Sequence, residues 1–341
     1  MISKGKIVLI SILILSIIGI IGSPILGGFL GSPMAHISIP AEPLLKHSLF
    51  GIWNLTNTIL VTWIVIIILA LVSFYGTRNL KETPGRFQCI LESIIEYFLI
   101  LAEDIGGKKN GRKFLPLILT IFIFIVSSNW IGILPGFGTI GIFEPAKDYI
   151  HHKEESAERA HEKLDLKTIK LHIYEGTGSI AILPLGSGNN EIDALTYKHD
   201  GVPKNKRAGV LIPFLRSANT DINTTLAIAI VAMIMIHCWG LRQLGVRKHL
   251  SKFFTFKGGV VGFFVGLIEA ISEIARVISF TFRLFGNIFA GEVLLMTMAF
   301  LIPLVGIIPF LGLELFVGLI QAFIFAILTL VFASTATSDE H

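Results

Sequence analysis

A chain of 341 residues, 53% hydrophobic and only 15% charged, with a mean hydropathy of +0.75, is too apolar for a soluble globular domain and falls among polytopic membrane proteins. Its formal charge of +4 does not point to nucleic acid, because most basic residues stand beside apolar runs and read as topology signals. Cys89 and Cys238, the two cysteines, lie in a helix-like segment and inside an apolar run and suggest no disulfide framework.

The apolar runs are continuous instead of alternating, which argues against a β-barrel and predicts an all-α membrane protein of five to six segments, several reaching the roughly 20 residues that span hydrocarbon. Residues 1–30 read as a signal-like or first transmembrane segment: Lys4 and Lys6 precede the run Ile7 to Ile21, and the small residues around Ser32 to Ala35 offer a cleavage site. Residues 31–135 hold the first membrane segments. One span runs from Leu55 to Tyr75, with Trp53, Trp63 and Tyr75 suited to the interface. Over 84–105, Ile90, Leu91, Ile94, Ile95, Phe98 and Leu101 recur at helical spacing against Glu92, Glu96 and Glu103, which predicts an amphipathic helix resting on the membrane surface or on a neighbour. The stretch Gly106-Gly-Lys-Lys-Asn-Gly-Arg112 lacks the Gly-Lys-Ser/Thr ending of a phosphate loop and reads as a basic surface turn. A span from Phe114 to Leu134 follows.

Residues 136–216 form a charged insert punctuated by Gly and Pro, with a helical patch from Glu154 to Leu166. Its His151, His152 and His161, with Glu154, Glu155 and Glu158, specify no metal geometry and read as a solvated face. Residues 217–341 begin with a span from Thr220 to Trp239 and a basic loop from Arg242 to Lys257. Asn223-Thr-Thr matches a glycosylation sequon but stands at a membrane boundary. The final stretch, Gly258 to Phe332, is interrupted only by Pro303 and Pro309, and its Gly258, Gly262 and Gly266 permit close helix approach.

Loop 76–113 carries seven Lys and Arg and loop 241–257 carries five, against Lys46 alone in 23–54. The basic loops are therefore assigned to the cytoplasm, the insert to the outside and the carboxy terminus to the cytoplasm. Gly258 to Ile302 contains no proline, and a continuous helix there is about 65 Å long, roughly twice the hydrocarbon thickness. Such a segment must tilt strongly or break. A tilted helix offers a long lateral face to a moving partner.

Glu269, Arg276 and Arg283 are spaced by seven, so they drift only about 20° per step and form one stripe about 21 Å long. A guanidinium stays charged, and at bilayer depth it costs at least about 2.5 to 3.5 kcal/mol. Arg276 has Glu269 and Glu273 within helical reach. Arg283 has no carboxylate three or four residues away, so its countercharge comes from elsewhere in the fold or from another subunit. Asn287 follows one turn on, whereas Glu292 stands about half a turn round and about 13 Å along. In the last segment Glu314 and Gln321 share a face. An intramembrane carboxyl that takes up and releases a proton is what a relay requires.

The run Arg283-Leu-Phe-Gly-Asn287-Ile-Phe-Ala-Gly-Glu292, followed by Gln321-Ala-Phe-Ile-Phe, resembles subunit a of the rotary, F-type ATP synthase. Pro84-Gly-Arg-Phe-Gln-Cys-Ile-Leu-Glu92, Asn129-Trp-Ile-Gly-Ile-Leu-Pro135, Asp221-Ile-Asn223-Thr-Thr-Leu and Glu269, fourteen residues before the arginine, extend the likeness over most of 50–335 outside the insert. The resemblance implies a stator without cofactor or ATP chemistry of its own, carrying ions past a ring of c subunits in a bacterial plasma membrane. Its partners would be that ring, the peripheral-stalk b subunits, the rest of the complex and lipid. Arg283 would face the ring carboxylate and separate two half-channels, with Asn287 on the same path. Asn129, Asp221, Asn223, Glu292 and Glu314 would line the outer half-channel, and Glu269, Ser272 and Ser279 the cytoplasmic one. Gln321 would pack close to Arg283. Glu314 stands where members often carry histidine, and Gly132 where some carry an acid. A secondary transporter would instead show inverted repeats, which the two halves lack, and a structural scaffold leaves Arg283 unexplained.

Overall fold

The computed structural model describes residues 40–44, 55–78, 80–134, 140–160, 166–175, 180–182, 191–202, 206–251, 259–301 and 307–338. The signal-like run and its cleavage site, predicted within 1–35, lie outside them, as does Gly258. The chain forms two compact units. One takes Met1–Leu60, Gly132–Arg216 and Ala290–Glu314; the other takes Val61–Ile131, Ser217–Phe289 and Leu315–His341.

The helices, in chain order, are α1 (Asn57–Thr77), α2 (Arg86–Gly132), α3 (Ala146–Ala160), α4 (Ala194–Asp200), α5 (Ile222–Leu244), α6 (Val246–Ser251), α7 (Gly259–Leu301) and α8 (Ile307–Thr337). Among the described residues, α1, α2, α5 and α8 are long and apolar enough to cross a membrane. On α1 most apolar side chains, such as Trp63, Ile67 and Phe74, face outward, as expected of a helix whose solvent is lipid.

α2 is two helical arms joined at Gly107, whose φ of 73° and ψ of 157° suit a residue without a Cβ. The arms fold back on each other. Gly111 packs against the Ala102 backbone so closely that a Cβ would overlap it, and Arg112 Nε reaches Glu103 Oε1 at 2.6 Å. The predicted amphipathic helix thus lies against a neighbour, its own second arm. The near-miss phosphate loop contains the joint between the arms, at Gly107, and is otherwise helical.

α7 is unbroken over 43 residues, so of the two outcomes open to the long apolar stretch, a break is the one that does not occur within 259–301. Pro309 lies in the first turn of α8, where a missing N–H leaves no intrahelical bond unmade.

In the second unit, Ile121 and Ile125 of α2, Ala229 and Ala232 of α5, Phe280, Leu284 and Ile288 of α7, and Ala322 and Phe325 of α8 make one core. The spacings of three and four residues put each set on one helix face. An adjoining core joins Phe98, Ala102, Phe114 and Ile118 of α2 to Met233 and Ile236 of α5 and to Ala326, Leu330 and Ala333 of α8. Lipid is as apolar as leucine, so helix association here draws on close packing, which the alanines permit.

The insert corrects the all-α expectation. Among the described residues it holds five strands, β1 (Ile140–Pro145), β2 (Lys170–Glu175), β3 (Ile180–Ile182), β4 (Glu191–Asp193) and β5 (Lys206–Pro213), in the order β3-β1-β5-β2-β4 with every pairing antiparallel. Central β5 carries the apolar run Ala208, Val210, Leu211 and Ile212. Ala146, Tyr149 and Ile150 of α3 pack with Leu171, Ala194, Ala208 and Val210. The helix starts at Ala146, eight residues before the predicted patch. Burial pushes the Tyr174 phenol up to about 12, and burial, then Glu42 and Glu144, raises Tyr149.

Candidate ion-path residues on the long helix

Because α7 is one continuous helix, Glu269, Arg276 and Arg283 share a stripe. Arg276 is held from both sides: Nη1 contacts Glu273 Oε1, Nη2 lies 3.6 Å from Glu269 Oε1, and the guanidinium stands 4.8 Å from the Phe332 ring centroid. The pairing expected from helical spacing is therefore present, and Arg276 is a structural cation.

Arg283 differs. It is exposed, and its one hydrogen bond among the described residues runs from Nη2 to Ser279 Oγ at 3.4 Å. Asn287 turns its amide back onto the Arg283 carbonyl at 2.9 Å and so does not engage the guanidinium. Phe264, Ile268, Ile271, Ile278 and Phe282 are exposed along the same helix. The arginine thus stands beside an apolar, outward-facing strip. Ser272 and Gln321 are half-buried, and no hydrogen bond joins Gln321 to Arg283 among the described residues.

Two acids meet in the first unit. Glu314 is only 7% exposed and its carboxyl lies against Gly291, where a Cβ would overlap it. It has no hydrogen-bond partner among the described residues. Glu292, the next residue after Gly291, is clamped: Arg216 Nε donates to Oε1 and Oε2 at 3.2 and 3.3 Å, and Nη2 to Oε2 at 3.2 Å. Arg216 is 6% exposed and also donates from Nη1 to the Pro40 carbonyl at 3.3 Å. A bidentate guanidinium fixes both position and charge of the carboxylate.

In the second unit, buried Asn129 accepts from Asn219 Nδ2 at 2.7 Å and donates to the Gly318 carbonyl at 3.1 Å. Asp221 is the N-cap of α5, its Oδ1 accepting from Asn223 N at 2.9 Å, while the Asn223 side chain is exposed. The structure therefore brings Glu292 and Glu314 together and gives Asp221 a capping role. Sequence reading missed Arg216, Asn219, His237 and His249. Arg216 was submerged among the insert's many charges, although its place at the membrane edge, just before Asp221, was a usable signal. His237 is a single ionisable residue within the apolar run 226–239, and local spacing gives it no partner.

The family model described as the ATP synthase A chain matches residues 59–334. This chain belongs to the ATP synthase A chain family. Relatives named ATP synthase subunit a include one from Moorella thermoacetica, 26% identical over 276 residues, covering 81% of this chain and 88% of the relative. One from Gloeobacter violaceus is 27% identical over 305 residues, covering 89% and 90%. One from Mycobacterium tuberculosis is 29% identical over 293 residues, covering 84% and 89%. As an ATP synthase A chain it is a non-catalytic, multi-pass membrane subunit of that complex.

Proposed function

We propose that this A chain is the proton-channel stator of the membrane sector, with Arg283 standing between two half-channels and facing a carboxylate on a ring of c subunits. The carrying observation is the contrast between two arginines on one helix. Arg276 has two carboxylates, whereas Arg283 is exposed beside an apolar strip and among the described residues its guanidinium bonds only a serine. A permanent cation at that depth stabilises the ionised form of a passing carboxylate and keeps protons from crossing directly between the half-channels. Each proton moved across the membrane carries about 2.3 kcal/mol per 100 mV, which drives the ring.

On the outer side, Glu314 exchanges the proton. Its carboxyl has no hydrogen-bond partner among the described residues, while Arg216 holds Glu292 as a fixed anion beside it. Asn129, Asp221 and Asn223 are assigned to the same path by family resemblance, Asp221 through the helix end that it caps. On the cytoplasmic side, Glu269, Ser272 and Ser279 lead towards Arg283. The insert is outside, the carboxy terminus is cytoplasmic, α7 and α8 lie tilted against the ring, and the b subunits hold the chain against rotation.

The test is ATP-driven proton pumping in vesicles containing the whole complex, wild type against Arg283→Ala. Loss of pumping with the complex intact is expected. Undiminished coupled pumping in that variant overturns the reading.

A further inference from the structure

His237 of α5 carries a pair of contacts that the stator mechanism leaves unused. Its Nδ1 lies 3.3 Å from Nε2 of His249 on α6, and its Nε2 lies 3.6 Å from Glu273 Oε2 on α7. That carboxylate oxygen is buried and has no hydrogen-bond partner among the described residues, and the His237 ring stands ready to donate to it. Glu273 contacts Arg276 through its other oxygen, and Arg276 reaches Glu269. The result is a continuous series of imidazole, imidazole, carboxylate, guanidinium and carboxylate that ends on the stripe carrying Arg283.

The two histidines differ in access. The His237 side chain is 32% exposed, while His249 is 4% exposed. His249 is also wedged against Gly240, where a Cβ would come within 2.6 Å of its Cε1 and 2.8 Å of its Nδ1. Gly240 thus makes the room that lets His249 reach His237. A buried ring bonded to one nitrogen of an imidazole fixes the tautomer presented by the other.

We propose that His237 is a proton-exchange residue between the aqueous cytoplasmic surface and the Glu273–Arg276–Glu269 stripe, and that His249 is its positioning residue. The proposal rests on the stator reading. His249 Nε2 accepts the His237 Nδ1–H, which leaves Nε2 of the neutral ring unprotonated; a proton from water adds to Nε2 and then passes from it to Glu273 Oε2. The ring is left neutral in the tautomer from which it started. One proton enters, one leaves, and no other bond changes.

The groups that bear on His237 include His249 from α6, Glu273 from α7 and, behind it, Arg276 and Glu269. Its own helix adds Arg242 in the last turn, and Arg247 and Lys248 flank His249 in sequence. On α2, Glu103 and Arg112 pair with each other. Residues 315–337 of α8 contain no ionisable side chain.

The experiment is ATP-driven proton pumping by the whole complex in inverted vesicles, with the external pH varied. In wild type the initial rate should show a titration step. His237→Gln should lower the rate about tenfold, at the low end of or below a general acid–base contribution, and abolish the step. His237→Glu should restore part of the rate with the step moved to lower pH. His249→Phe, which keeps a ring against Gly240, should retain pumping but shift the step. Wild-type rate and pH profile in assembled His237→Gln overturn the proposal; should that variant not assemble, the same profile in Glu273→Gln decides it. Arg283→Ala in the same preparation separates the two readings: pumping lost there but unchanged in His237→Gln leaves the stator standing and removes the relay.

Discussion

Gly291→Ala isolates the position of one carboxyl from everything else. A Cβ at 291 would fall inside the Glu314 carboxyl group, with Oε2, Cδ and Oε1 as its three nearest atoms. All three belong to the far end of a flexible side chain, so the helices need not part. The carboxyl must move instead, by on the order of 1 to 2 Å to reach ordinary van der Waals distance. Overpacking of this kind costs at most about 1 to 3 kcal/mol, and the terminal torsions of Glu314 absorb much of that. Assembly should survive. Proton transfer is less tolerant, since a misplacement of about 1 Å can cost about 10²-fold. Coupled pumping by the intact complex should therefore fall by one to two orders of magnitude, approaching Glu314→Gln. The double variant Gly291→Ala with Glu314→Gln should be no worse than Glu314→Gln alone, because both act through one carboxyl. Wild-type pumping by an assembled Gly291→Ala complex refutes the role given to the placement of Glu314.

Arg216→Met should strand Glu292 and destabilise the subunit by about 3 to 5 kcal/mol, whereas adding Glu292→Leu should recover most of it; recovery of the chain in purified complex and its thermal dissociation midpoint read both effects. Gly107→Ala forces an alanine into a left-handed conformation and should cost about 1 to 3 kcal/mol, read as a lower midpoint with pumping per assembled complex unchanged. Tyr174 is held neutral by burial, with its pKa pushed up to about 12. The folded state therefore keeps a proton that the unfolded chain loses near pH 10, and this contribution, complete below pH about 10, disappears as pH rises through 12. Its hydroxyl has no hydrogen-bond partner among the described residues, so Tyr174→Phe should leave the neutral-pH midpoint unchanged and extend the insert's alkaline range, as followed by circular dichroism.

The helical part of the fold was legible because hydrocarbon allows few alternatives: Asn57–Thr77 and Ile222–Leu244 fall within a few residues of the spans read from apolar run length. The insert was not. Its strands are three to eight residues long, and charges at Lys170, Glu175, Lys206 and Arg207 mask alternation that emerges only once β5 lies between β1 and β2. The candidate site divided along the same line. The seven-residue stripe follows from helix geometry alone, but Glu292 with Arg216 and His237 with Glu273 join residues 76 and 36 positions apart, and local spacing carries no record of such pairs.

Those distant pairs also bear on what Arg283 is for. Three acids of the helical region have an arginine or a histidine beside them: Arg216 lies on Glu292, Arg276 on Glu269 and Glu273, and His237 on Glu273. With those partnerships made, swapping a partner to Arg283 would leave another ion unpaired at a cost of several kcal/mol. The internal charges thus have little to gain by bonding to Arg283, and its exposed place on α7 follows. A cation left over in this way is a poor scaffold element but a suitable counter-ion for a carboxylate that arrives, waits and departs on another subunit. A transient partner needs a site that is stable while empty, and Ser279 at 3.4 Å holds the guanidinium in place without neutralising it.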